Sequence, residues 1–134
     1  MNPIRIMLVD DHIPTREQIE TLLGGEPGMT VVAQAGTAEE ALEMDQKFHP
    51  DVVVMDIMLP GMSGIEATRR ILSGRPEAKI LALSNHSGLA LVQAVFDAGG
   101  LGYVRKNHAY EELIPAVQSV GAGEKYICKE VCGL

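Results

Sequence analysis

No cluster of lysine or arginine occurs anywhere in the 134 residues, and the formal net charge is -7. Contacts with a phosphate backbone need a concentrated basic surface, so this segment is not expected to bind nucleic acid itself. Equally absent is any apolar run near the roughly 20 residues that cross a bilayer. The opening Met1-Asn2-Pro3-Ile4-Arg5 also lacks the apolar stretch of a signal peptide. No membrane association and a cytoplasmic location are therefore expected. Cysteine is scarce: Cys128 and Cys132 stand close together near the end. A disulfide there would close a trivial loop, and two ligands cannot complete a zinc site, so free reduced thiols are expected.

What is present suffices for one core. At 46% hydrophobic residues the chain is long enough for one well-packed domain and too short for two ordinary ones. It is organised around Asp51-Val52-Val53-Val54-Met55-Asp56, an apolar run that stops on a carboxylate. Three β-branched residues in a row fit a strand covered on both faces, as in a parallel sheet flanked by helices. In open α/β sheets the reactive crevice lies outside the carboxyl ends of the strands, which places Asp56 for chemistry.

The same motif recurs along the chain. Ile4 to Val9 reads as a buried strand ending on Asp10-Asp11, followed by a helix that opens around Pro14, turns Ile19, Leu22 and Leu23 inward and ends at Gly24-Gly25. Met29 to Ala33 is a short strand, and Thr37 with Glu40 forms a capping box for a helix with Ala38, Ala41, Leu42 and Phe48 inward, closed by Pro50. After the strand to Asp56, Ser63 or Gly64 begins a helix with Ile65, Thr68, Ile71 and Leu72 inward. Lys79 to Ser84 is a strand ending on a hydroxyl. Ser87 can cap a helix carrying Leu89, Val92, Val95 and Phe96, and Leu101 to Val104 leads directly to Arg105-Lys106. A last helix spans Glu111 to Val120, with Pro115 inside it, so it either starts late or kinks. Five strand-helix units predict a doubly wound α/β fold. Lys125 to Leu134 lacks strong periodicity and reads as a tail or the start of a linker.

Right-handed crossovers make the strands parallel and bring Asp10, Asp11, Asp56, Ser84 and Lys106 to one rim. Three gathered carboxylates repel one another unless a cation is bound or one acid is protonated. Mg²⁺ suits such a set, with waters, a substrate phosphate and a backbone carbonyl such as that of Met58 completing its oxygen shell. In phosphoryl transfer the catalyst mainly positions groups and neutralises charge, roles open to the metal, Lys106 and Ser84, with Asp56 as the attacking carboxylate. Taken singly, each residue has an ordinary explanation: a solvated loop lysine, a helix-capping serine, an Asp-Asp turn. One polar group at the same end of each of four strands is much harder to explain that way.

These residues carry a family resemblance. Val9-Asp10-Asp11-His12, Val54-Met55-Asp56 through Ser63-Gly64, Leu83-Ser84 and Gly102-Tyr103-Val104-Arg105-Lys106 resemble the receiver domain of bacterial two-component response regulators, across about Ile4 to Val120. The Ala-Leu-Ser-Asn-His-Ser stretch is most similar to the NarL/FixJ (LuxR-type) subgroup. The resemblance implies a flavodoxin-like five-stranded sheet, order 2-1-3-4-5, with helices on both faces, over a receiver domain at residues 1–122. It implies that Asp56 accepts a phosphoryl group from the phosphohistidine of a sensor histidine kinase. Asp10 and Asp11 would hold Mg²⁺ with Asp56 and the Met58 carbonyl, while Lys106 contacts the phosphoryl group. Ser84 would move to bind it and Tyr103 would follow inward, a switch controlling a homodimer or an output domain. The chain would be a stoichiometric phosphoacceptor and not a turnover enzyme. Members of the subgroup usually carry a helix-turn-helix DNA-binding domain after the receiver. Residues 123–134 would then be a tail or the start of a linker, and the chain either a single-domain regulator or a receiver cut from a longer transcription factor. Asn85, beside the switch hydroxyl, and Pro115 depart from the usual pattern and bear on phosphoryl lifetime and on dimer contacts. Two rivals remain. One is a Mg²⁺-dependent phosphohydrolase of similar topology, which would normally need a second acid where Met58 stands; the other is a receiver-like interaction module that takes no phosphate.

Overall fold

Alternation along the central strands decides which layer each residue serves, and the computed structural model, which describes residues 2–86 and 88–128, follows it closely. The elements are β1 (Ile4–Val9), α1 (Ile13–Gly24), β2 (Met29–Ala35), α2 (Ala38–Phe48), β3 (Val52–Asp56), α3 (Gly64–Gly74), β4 (Lys79–Ser84), α4 (Leu89–Asp97), β5 (Gly102–Arg105), a 3-10 turn (Lys106–His108), α5 (Ala109–Gly121) and β6 (Tyr126–Ile127). All strand pairs are parallel, in the order β2-β1-β3-β4-β5-β6. Ile6, Leu8, Val52 and Val54 face a core closed by Ile19 and Leu23 of α1 and Leu113, Val117 and Val120 of α5. Met7, Val9, Val53 and Met55 point the other way, onto Ala38 and Ala41 of α2 and Ala67 and Ile71 of α3. β3 is buried at every position, as its β-branched composition requires.

The helix starts follow their capping residues. Thr37 accepts the Glu40 amide at 3.1 Å, and the Glu40 carboxylate reaches back to the Gly36 amide, also at 3.1 Å. Ser63 accepts the Glu66 amide at 3.2 Å, which fixes α3 at Gly64. In α1 the cap is the imidazole of His12, which accepts from the Thr15 amide, with Pro14 in the first turn. At α4 the N-cap position belongs to Gly88, without a side-chain cap; Ser87 lies outside the described residues.

The structure corrects several expectations. The sheet has six strands instead of five, because Tyr126–Ile127 pairs with β5. A two-residue strand carries no periodicity, so nothing in the sequence marked it. Residues 129–134, with Cys132, lie outside the described residues. Leu89, expected inward, is 46% exposed, while Ile65 and Leu72 face inward but are only partly buried, Ile65 against the cluster of Ile57 and Val92 and Leu72 against that of Ala67 and Ile71. α5 runs through Pro115 and does not start after it. Proline removes the hydrogen bond to the Glu111 carbonyl, but both residues are exposed, so water can satisfy that oxygen.

One contact ties the fold to the rim. A Cβ added at Gly64 would overlap the Asp56 carbonyl oxygen and come 2.6 Å from the Ile57 Cα, both of them backbone. α3 can start against the end of β3 only because residue 64 has no side chain. Gly64→Ala should therefore destabilise the fold by about 1–3 kcal/mol. Urea unfolding should show a lower midpoint at unchanged slope; an unchanged midpoint would contradict this packing.

Candidate functional site

Each candidate side chain stands where a strand stops. Asp10 follows β1, and its amide bonds the Ala35 carbonyl at 3.0 Å, so the strand's last ladder bond fixes its backbone. Its Oδ1 accepts the His12 amide at 2.8 Å, which turns the chain into α1 and leaves Oδ2 facing the crevice. Asp56 is the last residue of β3, and its Oδ1 accepts the Met58 amide at 3.0 Å. Lys106 follows β5 directly and reaches across the sheet, its Nζ 2.9 Å from Asp10 Oδ2 and 3.1 Å from Asp56 Oδ2. Oxygens of Asp10, Asp11 and Asp56 all lie within 4.8 Å of one another; Asp10 and Asp56 are buried and Asp11 is exposed. Asp11, Asp56 and Lys106, together with Met58, Asn85 and His86, line an open cleft of about 550 Å³.

The charges in this cluster do not balance. Lys106 supplies one positive charge against three carboxylates. Burial raises the Asp56 carboxyl above its ordinary pKa, opposed by the Met58 amide and the Lys106 ammonium. For Lys106 burial acts to lower the pKa, yet the close contacts with the Asp10 and Asp56 carboxylates outweigh it, and the ammonium is held above its usual value. Asp10 Oδ2 is buried and, though ion-paired to Lys106, has no aligned hydrogen bond. A buried carboxylate oxygen with spare coordination, beside two more acid oxygens, is a donor set that fits a hard divalent cation.

Ser84 ends β4, one residue beyond the Leu83 that pairs with Asp56. Its Oγ accepts the His86 amide at 3.0 Å. Tyr103 sits on β5 and is fully buried, its hydroxyl donating to the His86 carbonyl at 2.7 Å. Burial raises the phenol above its ordinary pKa, opposed by the Ser84 hydroxyl beside it. Tyr103 thus already lies inward and lines no part of the acidic cleft. Sequence reasoning missed two contributors. Arg16 donates to the Asp10 carbonyl at 2.8 Å and to the Gln34 side chain at 3.1 Å, bracing the end of β1. His86 joins Ser84 to Tyr103 through its backbone, which no side-chain pattern reveals.

A parallel, doubly wound sheet with acids gathered at the carboxyl ends of β1 and β3 and a lysine crossing from β5 defines a flavodoxin-like α/β protein with a polar rim site. Residues 6–118 match the family model described as the response regulator receiver domain, and the chain belongs to that family. It is 39% identical over 130 residues to the transcriptional regulatory protein DegU of Brevibacillus brevis, covering 97% of this chain and 55% of that protein. To the response regulator GacA of Pseudomonas viridiflava it is 36% identical over 128 residues, covering 96% and 60%. Among solved structures, a two-component response regulator of the LuxR family from Aurantimonas sp. SI85-9A1 superposes with a TM-score of 0.93 at 42% identity, covering 97% of this chain and 93% of that one. The receiver resemblance and its LuxR-type leaning are thereby borne out. The chain spans 55% and 60% of the length of these two curated relatives. Among the described residues, no helix is long and apolar enough to cross a membrane.

The raised Asp56 pKa sets a measurable sign. Because the folded value lies above the unfolded one, the stabilising contribution is present at low pH and lost as pH rises through the folded value. Carbon NMR of the Asp56 carboxyl should give a midpoint above the ordinary 3.8. Lys106→Met should move it higher still, since the ammonium now holds it down. A midpoint at or below 3.8 in the parent would refute this balance.

Proposed function

We propose that Asp56 is the phosphoacceptor of a two-component receiver and takes its phosphoryl group from the phosphohistidine of a sensor histidine kinase. The observation that carries this reading is the Lys106 ammonium bridging Asp10 and Asp56 within a cluster of three acids. An oxygen of the ionised Asp56 carboxylate forms the new bond to phosphorus as the P–N bond breaks, and the electron pair returns to the kinase imidazole. Asp56 needs no general base, because its carboxylate is already the nucleophile. Asp10, Asp11, Asp56 and the Met58 carbonyl are the residues that would hold Mg²⁺, which would supply charge neutralisation on the transferring phosphoryl oxygens. Lys106 exchanges part of its contact with Asp56 for a phosphoryl oxygen, and Ser84 turns its hydroxyl to another.

The reaction is stoichiometric in this reading, with the phosphoryl group stored and not turned over. A phosphohydrolase would place a second acid two residues after the nucleophile, and Met58 stands there. Signalling then runs through Ser84 and Tyr103 to a homodimer contact or to an output domain. We place the receiver at residues 1–122, with Tyr126–Ile127 just beyond it docked on the edge of its sheet. Residues 123–134 would lead toward a DNA-binding domain of the helix-turn-helix kind, in a cytoplasmic transcription regulator.

Incubation with acetyl phosphate and Mg²⁺, followed by intact mass, should give one added phosphoryl group per chain. Asp56→Asn should abolish it, and Lys106→Met should slow it by about 100-fold. Modification that persists in Asp56→Asn would overturn the assignment. Rapid multiple turnover of the donor would favour the hydrolase instead, and no modification at all would favour the interaction module.

A further inference from the structure

Residues 126–128, after α5, lie along the edge of β5 next to Tyr103. The Tyr126 amide bonds the Leu101 carbonyl at 3.0 Å and the Cys128 amide bonds the Tyr103 carbonyl at 2.9 Å. The Tyr126 hydroxyl donates to Glu112 of α5 at 2.7 Å, which pins the strand from its other side. Cys128 is 2% exposed and shares one apolar cluster with Tyr103, Ala82, Val92 and Val95. The Tyr103 ring is therefore the floor on which the chain leaving the domain rests.

At its other end, the same ring is tied to the rim. The Tyr103 hydroxyl donates to the His86 carbonyl, and the His86 amide donates to Ser84 Oγ. A serine hydroxyl has one donor and two acceptor lone pairs, so Ser84 can give its proton to a phosphoryl oxygen and still accept from His86. Engaging Ser84 in that way fixes the turn that holds Tyr103 inward. An outward Tyr103 would leave a void beneath Cys128, a change that costs stability in any packed core.

We propose that β6 is a strap whose docking is coupled to the Asp56 site through Ser84, the His86 backbone and the Tyr103 ring, so that loading Asp56 tightens the strap. The proposal rests on the phosphoacceptor reading. It extends that reading by naming the segment through which the signal leaves the domain. Coupling free energies are reciprocal, so a docked strap also favours the loaded site.

The test uses the full chain carrying Cys132→Ser, with Mg²⁺, with and without beryllium fluoride. Bound fluoride is followed by fluorine NMR, and the strap by the alkylation rate of Cys128 and by hydrogen exchange of residues 126–128. Loading should slow both by about fivefold or more, within the usual range of intersite coupling. Tyr103→Ala should speed alkylation without any ligand. Tyr103→Phe, which keeps the ring and loses only the bond to His86, should stay folded and lose most of the response. Bound beryllium fluoride with unchanged strap rates would overturn the strap and leave the phosphoacceptor reading intact. A full response in Tyr103→Phe would overturn the relay through His86. Failure of beryllium fluoride to bind would overturn both readings.

Discussion

One ammonium set between two buried carboxylates is the interaction on which the rest of this structure depends. Lys106 lies 2.9 Å from Asp10 and 3.1 Å from Asp56, and without it the ends of β1 and β3 would bring like charges together in a partly desolvated crevice. Opposite charge at that distance interacts strongly when water is excluded, but breaking such a pair is costly because it strands a buried charge. The lysine therefore makes the acidic rim tolerable. It does not saturate the rim, because Asp10 Oδ2 lacks an aligned hydrogen bond and Asp11 adds a further charge. A site left electrostatically short of positive charge favours a ligand that brings more.

The sheet exists to deliver these groups to one place. Parallel strands end on the same side, so each carboxyl terminus can contribute one polar side chain while the strand behind it stays apolar on both faces. Gly64 lets α3 start against the Asp56 backbone, Arg16 braces the carbonyl of Asp10, and the Met58 amide orients the Asp56 carboxylate. None of these contacts touches a ligand. The first two fix the backbone that carries the acids and the third fixes the Asp56 carboxylate before one arrives, and pre-organisation of this kind is what charge-neutralising sites require.

The rim itself was legible in the sequence because apolar runs stopping on Asp10, Asp56 and Ser84 are a local signal, and the order of elements supplies the topology. Helix starts at Thr37 and Ser63 were legible for the same reason, since a capping side chain and its partner lie three residues apart. Long-range contacts with no local signature were not. β6 is two residues long, Arg16 bonds Asp10 through a backbone oxygen, and His86 links Ser84 to Tyr103 through its own main chain. Leu89 fits an apolar helical stripe, yet it sits in the first turn of α4, where the helix leaves the core and the side chain meets water.

If charge imbalance at the rim is the organising constraint, cation binding is its most direct expression. Calorimetric titration of the parent chain with Mg²⁺ at neutral pH should give one saturable site, weakened on acidification as the acids protonate and abolished in Asp10→Asn. An absence of saturable binding, or a site that survives Asp10→Asn unchanged, would contradict the account.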